Sequence, residues 1–396
     1  MIVDRSLLRV IVDPFVFHSP TKITFGQGVA ATASELIKEL GSQRIILITD
    51  KQLLKTDLVD SLITGWQAGS DIVIFSEVLP DANLTGVDQA ARIAKQEKCD
   101  GIIALGGGSV IDTAKVVNII LTLGGNALDH QGMHNLSSRL LPSLAIPTTA
   151  GTGAEVSLVA MVRDDKEGKK LLFGSKFLAM DEALLDPELI ITLPPRLTAA
   201  TGMDAVTHCI EALVVEGTSS PLTNTLALSA LNMLLKFLLK AKKDGNDIEA
   251  RSQTLVASTM AGMSFSSCGV GIVHALSHAI GGQFGTHHGM TNAVLLPHGM
   301  RFNLSFATNR YAEIARYLQL SNSDKDEVAA KILIESIENL INSLGLPQNL
   351  RGLPVPDLKP EQLRGLVDLA SSDPAMIFNT RQASPQDIIE IYRNAY

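Results

Sequence analysis

The sequence predicts an N-terminal α/β domain built on a parallel sheet, followed by an all-α C-terminal domain. Three observations predict it. Apolar, β-branched runs alternate with segments of helical spacing as far as residue 193. Beyond the LPP at 193–195, strand-like runs almost vanish and 3.6-residue spacing takes over. Hydrophobic residues make up 46% of the chain but aromatics only 4%, so the core is built from Ala, Val, Ile, Leu and Met, which suits α/β and helical folds better than a β-sandwich. A length of 396 residues favours two or three domains. The expected division is 1–193 and 194–396.

The elements follow in order. RIILITD (44–50) is a β-branched run that ends in Asp50. DIVIFSEVLP (71–80) reads as a strand closed by Pro80, and VDQAARIAKQEKC (87–99) has helical spacing. DGIIALGGGS (100–109) is an apolar run that ends in glycines, and VIDTAKVVNIILTL (110–123) continues it as a helix. LPSLAIPTTAGTGAE (141–155) is a second buried run closed by a turn-rich segment, and the mixed-sign VRDDKEGKK (162–170) is a solvated turn. In the second half, 196–215, 222–243, 252–265 and 325–345 all carry helical periodicity.

Composition excludes several functions. Net charge is −8 and no basic run is present, so nucleic-acid binding by counterion displacement is disfavoured. The three cysteines, Cys99, Cys209 and Cys268, are far apart and form no CxxC, which fits reduced thiols in the cytoplasm and offers no thiolate metal site. The N-terminal MIVDRSLLRVIVDP lacks the pattern of a secretory leader, and no uninterrupted apolar run reaches the roughly 20 residues of a membrane span. No membrane partner is expected.

IIALGGGSVIDTAK (102–115) reads as strand, glycine turn, helix. Such a turn lets backbone approach a phosphate at a helix N-terminus, so Gly107, Gly108 and Ser109 are candidates to cradle a pyrophosphate. The pattern is not the usual GxGxxG, because it follows a later strand and its acidic residue, Asp50, comes earlier. A carboxylate there can bind adenine-ribose hydroxyls and repel a 2′-phosphate, which predicts NAD over NADP; the competing reading of Asp50 is a turn or helix cap. PTTAGTGAE (147–155) brings Thr148, Thr149 and Thr152 after another buried strand. Two such loops in one sheet favour a dinucleotide-binding domain.

In GMDAVTHCIEAL, Asp204 and His208 are four apart and share a helix face, with Glu211 extending the stripe. His274 and His278 are likewise four apart, and His287 and His288 follow a glycine-broken loop. Between Arg251 and Arg301 there is no Asp, Glu, Lys or Arg, yet the window holds five histidines. Such a segment is buried, and buried imidazoles need hydrogen bonds or a metal. Asp with neutral imidazoles suits Fe(II) or Zn(II). One carboxylate and three imidazoles leave a divalent site at +1, suited to a developing alkoxide. Spacing leaves His278 and His288 open as the third histidine ligand, and HALSH lacks the glutamate of an HExxH hydrolase.

At these residues the chain resembles the iron-containing (group III) alcohol dehydrogenase family. The likeness runs from about Phe15 onward, on FGQG (25–28), GGGSVIDTAK (106–115), IPTTAGTGAEV (146–156), TAATGMDAVTHCIEA (198–212), GIVHALSHAIGG (271–282) and HGMTNAVLLPH (288–298). The resemblance implies an α/β nucleotide domain, a helical domain and an active site in the cleft between them. It implies Asp204, His208, His274 and His288 as metal ligands, His278 as the catalytic residue near substrate, His287 as a bystander and His298 as structural. Cofactor contacts carry over to Asp50, Gly107, Gly108, Ser109, Thr148 and Thr149, and further to Ser157, Val159, Lys170 and Leu189. The chain departs from the family at PDANLTG (80–86), where Asp81 replaces a common Asn, at Leu178 and Met180 within 173–188, and at Thr380, but at none of the ligands.

The implied function is reversible, NAD-linked oxidation of an alcohol to an aldehyde or ketone, with Fe(II) or alternatively Zn(II) polarising the substrate oxygen. The expected protein is a cytoplasmic homo-oligomer, a dimer or higher, that acts on a small molecule. The alternatives are an NAD-using lyase of the dehydroquinate synthase type and a metal-independent maleylacetate reductase. A non-catalytic metal-binding protein would need no glycine loop.

Overall fold

Six parallel strands form the centre of the first of two units in the computed structural model, which describes residues 14–396. In chain order this unit runs β1 (Lys22–Phe25), α1 (Ala33–Glu39), β2 (Arg44–Ile48), α2 (Asp57–Gln67), β3 (Asp71–Phe75), α3 (Leu84–Gln96), β4 (Gly101–Gly106) and α4 (Gly108–Leu123). It continues with β5 (Gly132–Met133), β6 (Ser143–Pro147), β7 (Val159–Asp164), β8 (Lys169–Gly174) and β9 (Glu182–Leu185). The sheet order is β1-β9-β6-β4-β2-β3, and every pairing is parallel.

The central strands are apolar along their whole length because both faces are covered. Ile46, Ile48, Ile102 and Ala104 pack under α3 and α4, and Ile45, Leu47, Ile103 and Leu105 pack under α1 and α2. α3 starts where the Asn83 side chain accepts from Gly86 N at 2.9 Å, an N-cap. β2 sends its chain to one side of the sheet and β4 sends its chain to the other. Their C-terminal ends therefore flank the switch point at which open α/β sheets bind ligands. Asp50 follows β2, and Gly107 follows β4.

β7 and β8 form an antiparallel hairpin, with β5 pairing parallel on β8 as a small second sheet. The charged VRDDKEGKK segment is the tip of this hairpin, with 165–167 exposed. The flanking strands and β9 are absent from the sequence expectation. EALL (182–185) has no β-branched residue, and its identity comes from the slot between β1 and β6.

The second unit contains no strand among the described residues. It is built from α5 (Pro195–Val214), α6 (Pro221–Lys243), the end of α7 (Ile248–Cys268), α8 (Ile272–Phe284), α9 (His288–Tyr317), α10 (Asp326–Ser343), α11 (Pro360–Ser371), α12 (Ala375–Phe378) and α13 (Pro385–Ala395). α6 has 23 residues and a mean hydropathy of 1.4, long and apolar enough by those measures to cross a membrane. In this unit it packs along α5, so closely that a Cβ on Gly202 would stand 2.1 Å from Leu238 Cδ1.

The units divide at Pro194/Pro195, beside the expected boundary, but 244–262 belongs with the first unit. Two contacts explain this. Buried Arg251 donates to the carbonyls of Ile191, Leu193 and Gly245 at 3.0–3.1 Å. Gly153 and Gly262 meet backbone to backbone, where a Cβ on Gly153 would lie 2.4 Å from Gly262 Cα.

Candidate active site

α5 is buried over almost its whole length, and Asp204, His208 and Glu211 form the polar stripe along it. Each finds a partner. Glu211 Oε2 accepts from His274 Nδ1 at 2.5 Å, and its Oε1 accepts from Val273 N at 2.7 Å. Asp204 Oδ1 accepts from Asn292 Nδ2 at 2.7 Å. The His208 ring stacks between Phe265 and His274, at centroid distances of 4.2 and 4.5 Å.

α8 carries His274 inward with its N-cap at Gly271, where no side chain of its own caps the first turn. Gly285 ends α8 in the left-handed region, at φ 65°, which reverses the chain. α9 then begins at His288. The outcome is convergence. One ligand atom from each of Asp204, His274 and His288 lies within 4.8 Å of the other two. His274 Nε2 is 3.8 Å, and His288 Nε2 3.5 Å, from Asp204 Oδ1.

Asn292, one turn after His288, faces the same point. Its Nδ2 lies 3.1 Å from His288 Nε2 and 3.4 Å from His274 Nε2 as well as bonding Asp204. An amide N–H group directed at three acceptor atoms has the polarity that a cation would have there. No cysteine belongs to the group. A carboxylate and imidazoles without thiolate fit Fe(II) or Zn(II).

The remaining histidines separate. His278 sits beside the trio, its ring stacked on His288 at 5.2 Å, and its Nδ1 donates to Asp373 Oδ2 at 2.8 Å. Burial pushes the Asp373 carboxyl up, but the His278 ring outweighs that and holds it below the ordinary range. His287 is exposed at the N-cap of α9, and its carbonyl accepts from Met290 and Thr291. His298 lies further along α9, outside the group, with its pKa lowered by burial and by Arg301. Asp373 was not legible as a site residue, since nothing in SSDPAMIF marks it.

In the first unit the two turn loops pack on one another. A Cβ on Gly107 would meet Thr149 Cγ2 at 3.1 Å, and one on Gly108 would meet Thr152 Cγ2 at 2.6 Å. Thr148 N donates to Gly106 O at 3.1 Å. Ser109 Oγ accepts from Asp81 N at 3.0 Å, and Lys170 Nζ pairs with Asp81 Oδ1 at 2.7 Å. Asp50 Oδ1 accepts from Gln52 N and Leu53 N, so the residue does cap a turn. Ser157 and Val159 are engaged inward instead. Buried Lys115 donates to Ser157 O, Ser157 Oγ and Val159 O at 2.7–2.9 Å. Leu189 is buried in the core on the α1–α2 face.

A parallel sheet with a glycine loop at its switch point, and a helical unit with a carboxylate–imidazole trio, fit a metal-dependent enzyme that uses a nucleotide cofactor. The comparisons narrow the class. Residues 20–187 match iron-containing alcohol dehydrogenase, and residues 198–396 match the C-terminal part of the Fe-containing alcohol dehydrogenase family. The NAD-dependent methanol dehydrogenase of Bacillus methanolicus is 35% identical over 381 residues, 96% of this chain and 99% of that one. The 1,3-propanediol dehydrogenase of Citrobacter freundii is 34% identical over 386 residues, 96% of this chain and 99% of that one. The crystal structure of a 1,3-propanediol oxidoreductase aligns with TM-score 0.92 at 33% identity, covering 97% of this chain and all of that chain. The chain belongs to the iron-containing alcohol dehydrogenase family, and it is an alcohol dehydrogenase.

Proposed function

We propose that the protein catalyses reversible, NAD-linked oxidation of a small alcohol to an aldehyde or ketone, with Asp204, His208, His274 and His288 as metal ligands. The convergence of Asp204, His274 and His288 within 4.8 Å carries this reading. His208 joins the set because it shares a face of α5 with Asp204 and stacks on His274. Fe(II) is the ion that the family name favours, and Zn(II) accepts the same donors. NAD is supported by the methanol dehydrogenase relative.

Bound here, a divalent ion supplies Lewis acidity toward the alcohol oxygen, and NAD supplies the hydride acceptor. The chain's own residues do the rest. Gly107, Gly108 and Ser109 offer backbone N–H groups at the start of α4 to a pyrophosphate. Thr148 and Thr149 supply hydroxyls beside them, and Lys170 supplies a cation anchored on Asp81. Ser157, Val159 and Leu189 belong to the same proposed cofactor site by resemblance, with Ser157 and Val159 held by Lys115 and Leu189 in the core. Asp50 excludes a 2′-phosphate. His278 holds the substrate proton at Nε2, because its Nδ1–H is committed to Asp373.

Homo-oligomer assembly and a cytoplasmic location belong to the same proposal. The location is supported by three cysteines that are all buried and free.

The test is an alcohol and aldehyde panel with NAD and NADP, followed at 340 nm on protein reconstituted with Fe(II) or Zn(II). Reduction of NAD by an alcohol is expected, and its absence across the panel would favour a lyase. His274→Ala should lose both metal and turnover. Full activity in a metal-free His274→Ala protein would sink the assignment.

A further inference from the structure

Glu211 belongs to neither the ligand trio nor the substrate, yet it is 3% exposed and carries formal charge into an apolar helix bundle. A buried carboxylate must be satisfied by donors. Both of its oxygens are, and both donors come from α8. Oε1 takes the Val273 N–H at 2.7 Å, and Oε2 takes His274 Nδ1 at 2.5 Å.

The first contact is a cap delivered from another helix. Val273 is the second residue of α8, whose first N–H groups have no partner within the helix. A negative charge at this end is also favoured by the helix dipole. The approach is close: a Cβ on Gly271 would stand 3.1 Å from Glu211 Oε1 and 2.8 Å from Asn379 Oδ1.

The second contact decides which nitrogen of His274 is free. The 2.5 Å contact engages Nδ1 as the donor to Oε2. The lone pair is left on Nε2, the atom that lies 3.8 Å from Asp204 Oδ1 and 3.4 Å from Asn292 Nδ2. One side chain thus fixes both the start of the helix and the tautomer of the imidazole that the helix carries.

We infer that Glu211 is the positioning residue for the metal: its contact with Nδ1 locks His274 as an Nε2 ligand. This rests on the proposed ligand set. Carboxylate–histidine–metal relays of this kind alter affinity by roughly 10- to 100-fold.

The experiment is calorimetric titration of metal-stripped protein with Zn(II), using wild type, Glu211→Gln and His274→Ala. Glutamine keeps the volume and one acceptor, but it cannot accept from both Val273 and His274. Wild type should bind one equivalent and His274→Ala none. Glu211→Gln, folded by circular dichroism, should bind roughly 10- to 100-fold more weakly. Affinity in folded Glu211→Gln within threefold of wild type overturns the inference. Failure of wild type to bind one equivalent overturns the ligand set instead, so the two failures are distinguishable. A second measurement needs no fold-sensitive variant. In histidine-labelled, Zn(II)-loaded wild type, ¹H–¹⁵N spectra should show a His274 Nδ1–H proton far downfield. A His274 ring bound through Nδ1 overturns the inference on its own.

Discussion

His278 and Asp373 lie 95 residues apart in the chain and are joined at 2.8 Å, Nδ1 to Oδ2, with side chains 13% and 11% exposed. The carboxylate fixes the ring so that Nε2 is the free nitrogen. His278→Ala should lower kcat about a hundredfold, the lower range for a general base. Asp373→Ala should lower it by a smaller factor. Both should leave KM within a few fold and metal content unchanged, read by steady-state kinetics and metal analysis. Wild-type kcat in Asp373→Ala would show that the pair is only structural.

Asp50 caps a turn, and the proposed cofactor site gives it a second, separable role. Asparagine can still accept from Gln52 and Leu53 but carries no charge to repel a 2′-phosphate. Asp50→Asn should improve kcat/KM for NADP relative to NAD by roughly tenfold, about 1.4 kcal/mol, with little change in melting temperature. An unchanged cofactor ratio would assign Asp50 to the turn alone.

Gly108 sits where α4 starts against Thr152. Its replacement by Ala places a methyl 2.6 Å from Thr152 Cγ2, so one loop must move. Displacements of this size are costly at a site that needs exact placement. NADH binding, followed by fluorescence, should weaken about tenfold or more, while Zn(II) binding to the helical unit should be unaffected. Equal loss of both would point to global unfolding.

Lys115 is 1% exposed and holds the 157–159 segment by three hydrogen bonds. Lys115→Met removes three hydrogen bonds, although Val159 O keeps the Ser157 hydroxyl at 3.0 Å, and should cost roughly 3 kcal/mol at pH 7 in denaturant melts. Burial pushes the ammonium pKa down to about 8, against the opposing carboxylates of Asp112 and Glu155. The folded state therefore releases its proton at lower pH than the unfolded chain does. Between about pH 8 and the ordinary lysine value, the unfolded state binds more protons, so stability from this group rises with pH. The gap between wild type and Lys115→Met should widen over that range, by at most about 1.4 kcal/mol per pH unit. A constant gap would place the Lys115 pKa near its ordinary value.

Much of this molecule is legible in its residues. The apolar runs around Ile46, Ile103 and Ala145 mark strands buried on both faces, and the 3.6-residue stripe on α5 marks a helix with one polar edge. The uncharged window from Arg251 to Arg301 foretells burial. Three things are not legible. β9 and the β7–β8 hairpin lack local strand character and take their form from neighbours. Spacing cannot choose between His278 and His288, because the turn at Gly285 that returns His288 is a matter of backbone geometry. Asp373 meets His278 only through tertiary packing, so no spacing rule reaches it.

The chain from Asp373 onward also has a temporal meaning. Asp373 holds His278, Asn379 accepts from the Ile272 N–H at the head of α8 and pairs amide to amide with Asn303, and Tyr392 donates to Leu276 O. All three clamp the helix that bears His274, and all three are synthesised after His288, the last of the proposed metal ligands. On the ribosome, the ligands emerge well before the segment that braces them. In order of synthesis, the side chains proposed to coordinate the ion thus precede the residues that brace their helix.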